Sequence, residues 1–465
     1  MNIPNPTHTA KVKRVQQTIK TLAASGRQAK MFHGSTNSTR PPIDPNLAIV
    51  DVSDFTEVLE INAEELYVIV EPNVPLDQLV KATRQANLVP PMVAEFPGIT
   101  VGGAAQGGSG ESSSHKYGLF SDICVEYEVI LGNGEKVVCS ATKNKDLFDG
   151  LACAFGSLGV LTALKIKLVP ATKYVALTYY PTKNYAETIK QVQHYVKEGA
   201  EFVDAIQFSK NTGVVVVGEY SNTKTGPVAR FGNASDEWFY LHVEKQLGKS
   251  IFEESVPLTD YLFRYDRGGF WVAKYGFKDT ALKFNRLNRF LLAGMFKTRT
   301  LFKLMHTSGY SYRYLAQDIC LPQETVVDFL KYNDKTTNIY PLWICPLKTT
   351  TPKLAPTALD TDLVINIGIW GETELKKNFR DINRDIEKKV HELKGRKVLY
   401  AHAYYTAEEY WDIYDKKWYD KLRNKYYAAV LFPDVHKKTL TKPIDFEPSR
   451  KRALVGLIRS PYRRK

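Results

Sequence analysis

Apolar residues recur at Val12, Val15, Ile19, Leu22 and Ala23 with lysines and glutamines between them, a spacing that predicts an amphipathic helix over residues 12–24. Two short β-rich runs follow, at 48–52 and 66–72, each bounded by turn residues. Leu76, Leu79, Val80 and Ala82 then predict a helix between 75 and 87, stopped by Pro90 and Pro91. Residues 125–131 and 136–140 flank Gly132-Asn133-Gly134, an Asn-Gly turn that favours a hairpin, and 161–169 alternates as a further strand. Strands with short helices around them make an α+β first domain over 1–174. From 175 to 395 long polar and aromatic helical segments alternate with strand candidates at 205–208, 214–217, 339–346 and 363–369. This predicts a second α+β domain with a Thr- and Pro-rich surface loop at 349–361. Residues 396–440 are read as a return to the first domain, helical and aromatic over 404–427, and 441–465 as a basic tail.

Composition narrows the class. At 465 residues the chain exceeds one simple core, and about 100–200 residues per domain gives two or three. Hydrophobic residues at 44% and aromatics at 12% run the whole length, enough for packed cores. A formal charge of +13 asks for an anionic partner: a phosphate-bearing cofactor, an acidic membrane surface or nucleic acid. No interleaved basic-aromatic signature or zinc-finger spacing speaks for nucleic acid, so the first two remain. The odd set of Cys124, Cys139, Cys153, Cys320 and Cys345 has no CxxC pair, which argues against a disulfide framework or a metal site and for a reducing compartment. Neither a signal-peptide core nor a run of about 18 apolar residues occurs. The expectation is a protein on the cytoplasmic side, soluble or peripheral on a membrane, with the oligomeric state left open.

The candidate chemistry sits in FPGITVGGAAQGGSGESSSH, residues 96–115, where five glycines lie between Gly102 and Gly110. Such a backbone approaches a ligand closely, and its amides make a nest for a diphosphate, with Thr100, Ser109, Ser112 and Ser113 as added hydroxyl donors. No Walker lysine follows, and no strand leads into a GxGxxG with an apolar helix behind it. On spacing alone, a flexible surface loop stays open as the alternative.

The wider order of motifs resembles a known family. Thr100-Val101-Gly102-Gly103, the block GESSSHKYG at 110–118, Asp122, the strand YEVILGNG at 127–134, Asp146-Leu147-Phe148 and GSLGVLTA at 156–163 resemble the FAD-binding domain of the vanillyl-alcohol oxidase and p-cresol methylhydroxylase superfamily. Within it the chain is most similar to the Δ24-sterol reductases. That likeness continues through Gln317-Asp318, YPLWICP at 340–346, Gly368, Leu399-Tyr400-Ala401 and WYDKLR at 418–423, covering most of residues 12–440. The resemblance implies a two-subdomain FAD-binding domain of the p-cresol methylhydroxylase type with a second α+β substrate, or cap, domain. It also implies FAD reduced by NADPH, and a sterol or other lipid substrate.

It implies a flavin site as well. The segment 33–40 takes the place of the superfamily's first pyrophosphate loop, with Gly34, Ser35, Thr36, Asn37 and Ser38 as candidates. Thr100, Val101, Gly102, Gly103, Gly107, Gly108, Ser109, Gly110, Glu111, Ser112 and Ser113 form the main grip. His115, Tyr117 and Gly118 follow it, and Gly159 and Val160 close the site. Reduction of an unactivated C=C bond needs a hydride from the reduced flavin N5 and a proton from a well-placed acid. The candidates for that acid are Tyr400, His402, Tyr404, Glu409 and Asp318.

Two further segments carry readings. Arg264 and Arg267, among aromatics at 260–271, are candidates for lining a sterol pocket or meeting an NADPH phosphate, against simple pairing with Asp266 and Asp260. Residues 283–305 hold six basic and no acidic residues interleaved with Phe, Leu and Met, a pattern suited to an anionic membrane interface or to an ordinary cap helix. The leading reading is an NADPH- and FAD-dependent sterol Δ24 reductase. A flavin oxidase or dehydrogenase of another lipid or alcohol, and a non-catalytic membrane-associated lipid-binding flavoprotein, are the competing ones.

Overall fold

A computed structural model describes residues 1, 3–34, 36–40, 46–278, 282–372 and 377–442. Ser35 and all but the first two residues of the basic tail lie outside that set. The opening helix is longer than its apolar stripe predicts, spanning Pro6–Ala24. Asn5 caps it by accepting from the His8 amide at 2.9 Å, and Pro6 occupies the first turn, where no amide donor is needed. Val12, Val15 and Ile19 are buried as the spacing requires. His8 lies between Glu71 (2.8 Å) and Glu128 (3.0 Å), fastening the helix to the sheet below. Burial alone would lower its pKa, yet the hydrogen bonds with Glu128 and Glu71 raise it to about 9.

The first domain holds a five-stranded antiparallel sheet in the order Val58–Asn62, Tyr67–Val70, Val160–Lys167, Cys124–Ile130, Lys136–Ser140. The Asn-Gly hairpin is there, with Gly134 at φ 84°. The helix Leu76–Gln85 ends before the prolines, because Asn87 turns left-handed at φ 56°. A short strand absent from the sequence reading, Ala29–Phe32, pairs in parallel with Ala48–Asp51, and the 33–40 segment leaves directly from its end.

The second α+β layer is an eight-stranded antiparallel sheet in the order Phe252–Pro257, Tyr174–Thr182, Thr212–Ser221, Phe202–Ser209, Leu342–Lys348, Leu363–Gly371, Leu315–Pro322, Arg396–Lys397. The period of two along Leu363–Gly371 decides what each face does. Leu363, Ile365, Ile367 and Ile369 pack under the helices Tyr185–Lys197, Val326–Lys335 and Phe379–Glu392. Burying each isoleucine there contributes about 1.5–3 kcal/mol. Asn366 and Trp370 turn to the opposite face, toward the first domain, together with Trp343, Leu347 and Asp318 of neighbouring strands.

The 349–361 loop is less superficial than its composition suggests. Leu354, Ala355 and Thr357 are buried, and Arg396 binds the carbonyls of Lys353 and Ala355. The helix Lys416–Lys425 and the turn Val435–Thr439 lie against 156–157: Arg423 donates to the Ser157 carbonyl at 2.6 Å and Lys438 to the Gly156 carbonyl at 3.0 Å. Among the described residues no helix is long and apolar enough to cross a membrane.

Candidate functional site

The inner face of the large sheet and the first domain enclose a cavity of about 940 Å³. Its polar end is built from the 36–40 segment and the glycine stretch. That stretch is largely helix rather than open loop: Val101–Gly107 is capped by Thr100, whose hydroxyl accepts from the Gly103 amide at 3.2 Å, and ends at Gly108 with φ 75°. Val101, Ala104 and Ala105 are buried and fix the helix in the core. Gly102 allows its close approach, since a Cβ there would stand 2.7 Å from the Pro72 side chain. The apolar end is walled by Phe270, Trp343 and Trp370, with Phe277, Phe296, Leu301 and Met305 beyond them. Phe270 holds φ 60°, a strained value for a side chain of its size, and its ring lies 4.2 Å from that of Trp370.

Three carboxyls bear on this space. Asp318 accepts from the Tyr400 hydroxyl at 2.6 Å and from the Asn366 amide at 2.8 Å, and burial pushes it up to about 6 against those bonds. Glu95, half-buried in the wall, takes a hydrogen bond from its own backbone amide and has no side-chain partner or ion pair among the described residues. Burial, with the charges of Glu111 and Asp318 adding to it, pushes its carboxyl up to about 8. Glu111 stands behind the wall, fully committed to Arg264 (2.7 Å).

Residues 7–140 match the family model described as an FAD binding domain. The Delta(24)-sterol reductase of Homo sapiens is 32% identical over 83% of this chain and 76% of the human protein. The chain belongs to the Delta(24)-sterol reductase family. The Caenorhabditis elegans homologue dhcr-24 is 29% identical over 93% of this chain and 87% of its own length. The Arabidopsis thaliana Delta(24)-sterol reductase is 29% identical over 84% and 76%. The expected class holds with it: an FAD-dependent oxidoreductase on an α+β fold with a second domain.

The FAD-binding domain calls for a dinucleotide site, and the polar end of the cavity has groups that fit one. Thr39 Oγ1, Arg40 Nε and Gln106 Nε2 are buried in that wall without a protein partner. Arg40 and Lys438 are buried there with no carboxylate within ion-pair distance among the described residues, so the wall carries uncompensated positive charge. Burial lowers Lys438 to about 7, helped by Arg423 and Arg40, and lowers Arg40 to about 10. A diphosphate would supply the missing acceptors and countercharge. Gly34, Thr36, Asn37, Ser38, Thr100, Gly102, Gly103, Gly107, Gly108, Ser109, Gly110 and Val160 all line the cavity.

Ser35 lies outside the described residues, and the rest of the expected flavin set stands elsewhere. Val101 is core, and Gly159 exists for packing, since a Cβ would lie 2.6 Å from Val129. Beyond Gly110 the chain passes under the strand Phe202–Ser209 and joins the two domains. Glu111 pairs with Arg264, and the Ser112 carbonyl accepts from the Val203 amide at 2.9 Å. Ser113 donates to the Pro91 carbonyl, His115 bridges the carbonyls of Ser112 and Ala200, and Tyr117 donates to Glu201 at 2.8 Å. Gly118 supplies φ 81° beside Asp122. The block that carries the family likeness is therefore an interdomain joint, a use that only the long-range fold reveals.

Of the expected acids, Tyr400 and Asp318 line the cavity. His402 is a fully buried core histidine against Tyr312 and Phe379, lowered to about 3 by burial and by Arg40 and Lys397. Glu409 closes a capping box with Thr406 and pairs with Arg384, while Tyr404 stacks parallel to His402. These three serve packing and helix capping outside the cavity wall. Arg264 and Arg267 are likewise spoken for: Arg264 is buried on Glu111 and Asp204, and Arg267 donates to the carbonyls of Ala234 and Asp236. Neither partner is the Asp260 or Asp266 expected from proximity in sequence. Glu95 is the cavity acid that sequence reading missed, an isolated carboxylate in PPMVAEFPG with no motif around it.

Proposed function

We propose that the chain reduces the Δ24 double bond of a sterol side chain, with FAD as its redox group and NADPH as the electron source. The observation that carries this reading is a single cavity joining an anion-seeking glycine end to an aromatic and aliphatic end, with carboxyls in the same wall. The names of the relatives supply the bond reduced, and the family likeness supplies NADPH.

Bound and reduced, FAD supplies the hydride for one alkene carbon. The protein must deliver a proton to the other, and without a carbonyl to activate the alkene that donor must be protonated at the working pH and close. Tyr400 suits the role poorly, because its proton is held by Asp318 and its oxygen accepts from Trp370 Nε1 at 3.2 Å. Glu95 suits it well: with a pKa of about 8 it is protonated at neutral pH, and no other side chain holds its proton. Asp318, at about 6, is ionised at the same pH, and its charge favours positive charge developing on the protonated alkene. Tyr400 and Asn366 hold that carboxylate in place. Phe270, Trp343 and Trp370 exclude water, so the proton and hydride add only across the double bond. A sterol resides in bilayers, which places the reaction at a membrane surface.

The test is anaerobic reduction of the purified holoenzyme by NADPH, followed by mixing with desmosterol or another Δ24 sterol. Reoxidation of the flavin with formation of the saturated side chain is expected. Failure of every Δ24 sterol, with rapid oxygen consumption on an alcohol instead, would replace this reading with an oxidase.

A further inference from the structure

Five of the twelve exposed large apolar side chains among the described residues fall in one short stretch: Leu282, Leu287, Phe290, Leu291 and Met295. The helix Arg286–Leu291 buries none of its residues, and Leu287 and Leu291 are 64% and 65% exposed. One turn further on, the stretch enters the cavity wall: Leu292 and Met295 line the cavity, followed by Phe296, Leu301 and Phe302. Met295 thus belongs to both the exposed patch and the cavity, so the apolar surface runs without interruption from outside to inside. A contiguous exposed apolar patch of this kind marks an interaction site.

The charges around it indicate the partner. Lys283, Arg286 and Lys297 stand exposed with no carboxylate within ion-pair distance among the described residues. No acidic residue occurs between 283 and 305. Apolar side chains ringed by unpaired cations match the depth profile of an anionic bilayer, with apolar groups at the acyl boundary and ammonium and guanidinium groups at the phosphates. A protein partner would require acidic groups around an apolar core; a bilayer supplies both, and it also holds the class of molecule that an apolar cavity of this size takes.

We propose that the 282–297 collar docks on an anionic lipid bilayer and seats the cavity mouth against it, so that a lipid passes from the acyl region into the cavity without crossing water. The delivery role rests on the reading of a membrane lipid as substrate; the docking does not.

The experiment is flotation of the full-length holoprotein with vesicles of phosphatidylcholine alone or mixed with phosphatidylserine, together with turnover of the sterol in those vesicles and in detergent. The wild-type protein should float with the anionic vesicles and be released by salt. The double variant Leu287→Glu/Leu291→Glu, at two positions that do not line the cavity, should lose at least about tenfold in flotation. It should retain flavin and full turnover on detergent-dispersed sterol while losing turnover on vesicle-held sterol. Equal flotation of variant and wild type, or no flotation of the wild type, overturns the proposal. So does a wild-type dimer that the variant converts to monomer, since the occupant is then a second copy. Flotation that behaves as expected with no sterol turnover leaves the docking standing and removes the substrate reading alone.

Discussion

Arg264 Nη2 lies 2.7 Å from Glu111 and 2.9 Å from Asp204, with all three side chains withdrawn from solvent. Glu111 ends the glycine stretch and Asp204 belongs to a central strand of the large sheet, so one guanidinium ties the glycine-rich end of the cavity to its roof. Asp204 also accepts from Tyr265 (2.8 Å) and Trp343 Nε1 (3.0 Å), which carries the tie into the aromatic wall. Breaking a buried ion pair by removing one member leaves the other charge uncompensated, at a cost of about 3–5 kcal/mol. Arg264→Met should therefore lower the denaturant midpoint strongly, and Arg264→Met with Glu111→Gln less than the sum of the two singles. Additive effects in that cycle would mean that the contact is not energetically a pair.

Gly107 and Gly118 separate ligand space from fold space. A Cβ at Gly107 meets nothing within 4 Å although the residue lines the cavity, whereas at Gly118, with φ 81°, it would stand 2.4 Å from Asp122. Gly107→Val should melt close to wild type and purify with little flavin absorbance. Gly118→Ala should lose stability, since strain at such a backbone position costs about 1–3 kcal/mol. Retention of full flavin by Gly107→Val would remove this residue from the cofactor site.

How much of this was legible follows the range of the forces involved. The Asn133-Gly134 turn and the strand at 363–369 are local patterns, and both are found where the sequence puts them, the strand running on to Gly371. The glycine stretch was legible by composition as a backbone suited to lining a site, but its helical form depends on Val101, Ala104 and Ala105 packing into a core assembled from distant segments. Glu95 was invisible because its raised pKa comes from burial and from Glu111 and Asp318, none of which its neighbours in sequence announce. In sequence Arg264 is a candidate for a sterol pocket or an NADPH phosphate, or a partner of the nearby Asp260 and Asp266. Its partners come instead from Glu111 and Asp204, which only the packing of the two domains brings near.

Glu95 gives the reaction a pH signature. As the proton donor it must be protonated while Asp318 stays ionised, so turnover should hold between about pH 6 and about pH 8 and fall as pH rises through the folded pKa of Glu95. Glu95→Gln keeps the shape and removes the proton. Loss of general acid catalysis is worth about 10²–10⁴ in kcat, with flavin content and reduction by NADPH unchanged. Single-turnover flavin reoxidation by a Δ24 sterol measures this step directly. An unchanged rate in the glutamine variant would return the role to the Asp318–Tyr400 pair.

If the diphosphate sits at the polar end of the cavity, Lys438 links its binding to protons. Its folded pKa, near 7 against 10.5 for an ordinary lysine, means that the unfolded chain binds more protons between those values. This group therefore destabilises the flavin-free fold most below pH 7, and the penalty fades as pH rises toward 10.5. A diphosphate beside the ammonium favours its charged form and raises the pKa again. At about pH 8 the flavin-free lysine is mostly neutral, so FAD uptake should draw a proton from solution. Titration calorimetry in two buffers of different ionisation enthalpy reads that proton as a difference in apparent binding enthalpy. Lys438→Met should abolish the difference and weaken FAD retention, while stabilising the flavin-free protein at neutral and lower pH. Buffer-independent enthalpies in the wild type would mean that Lys438 does not face the diphosphate.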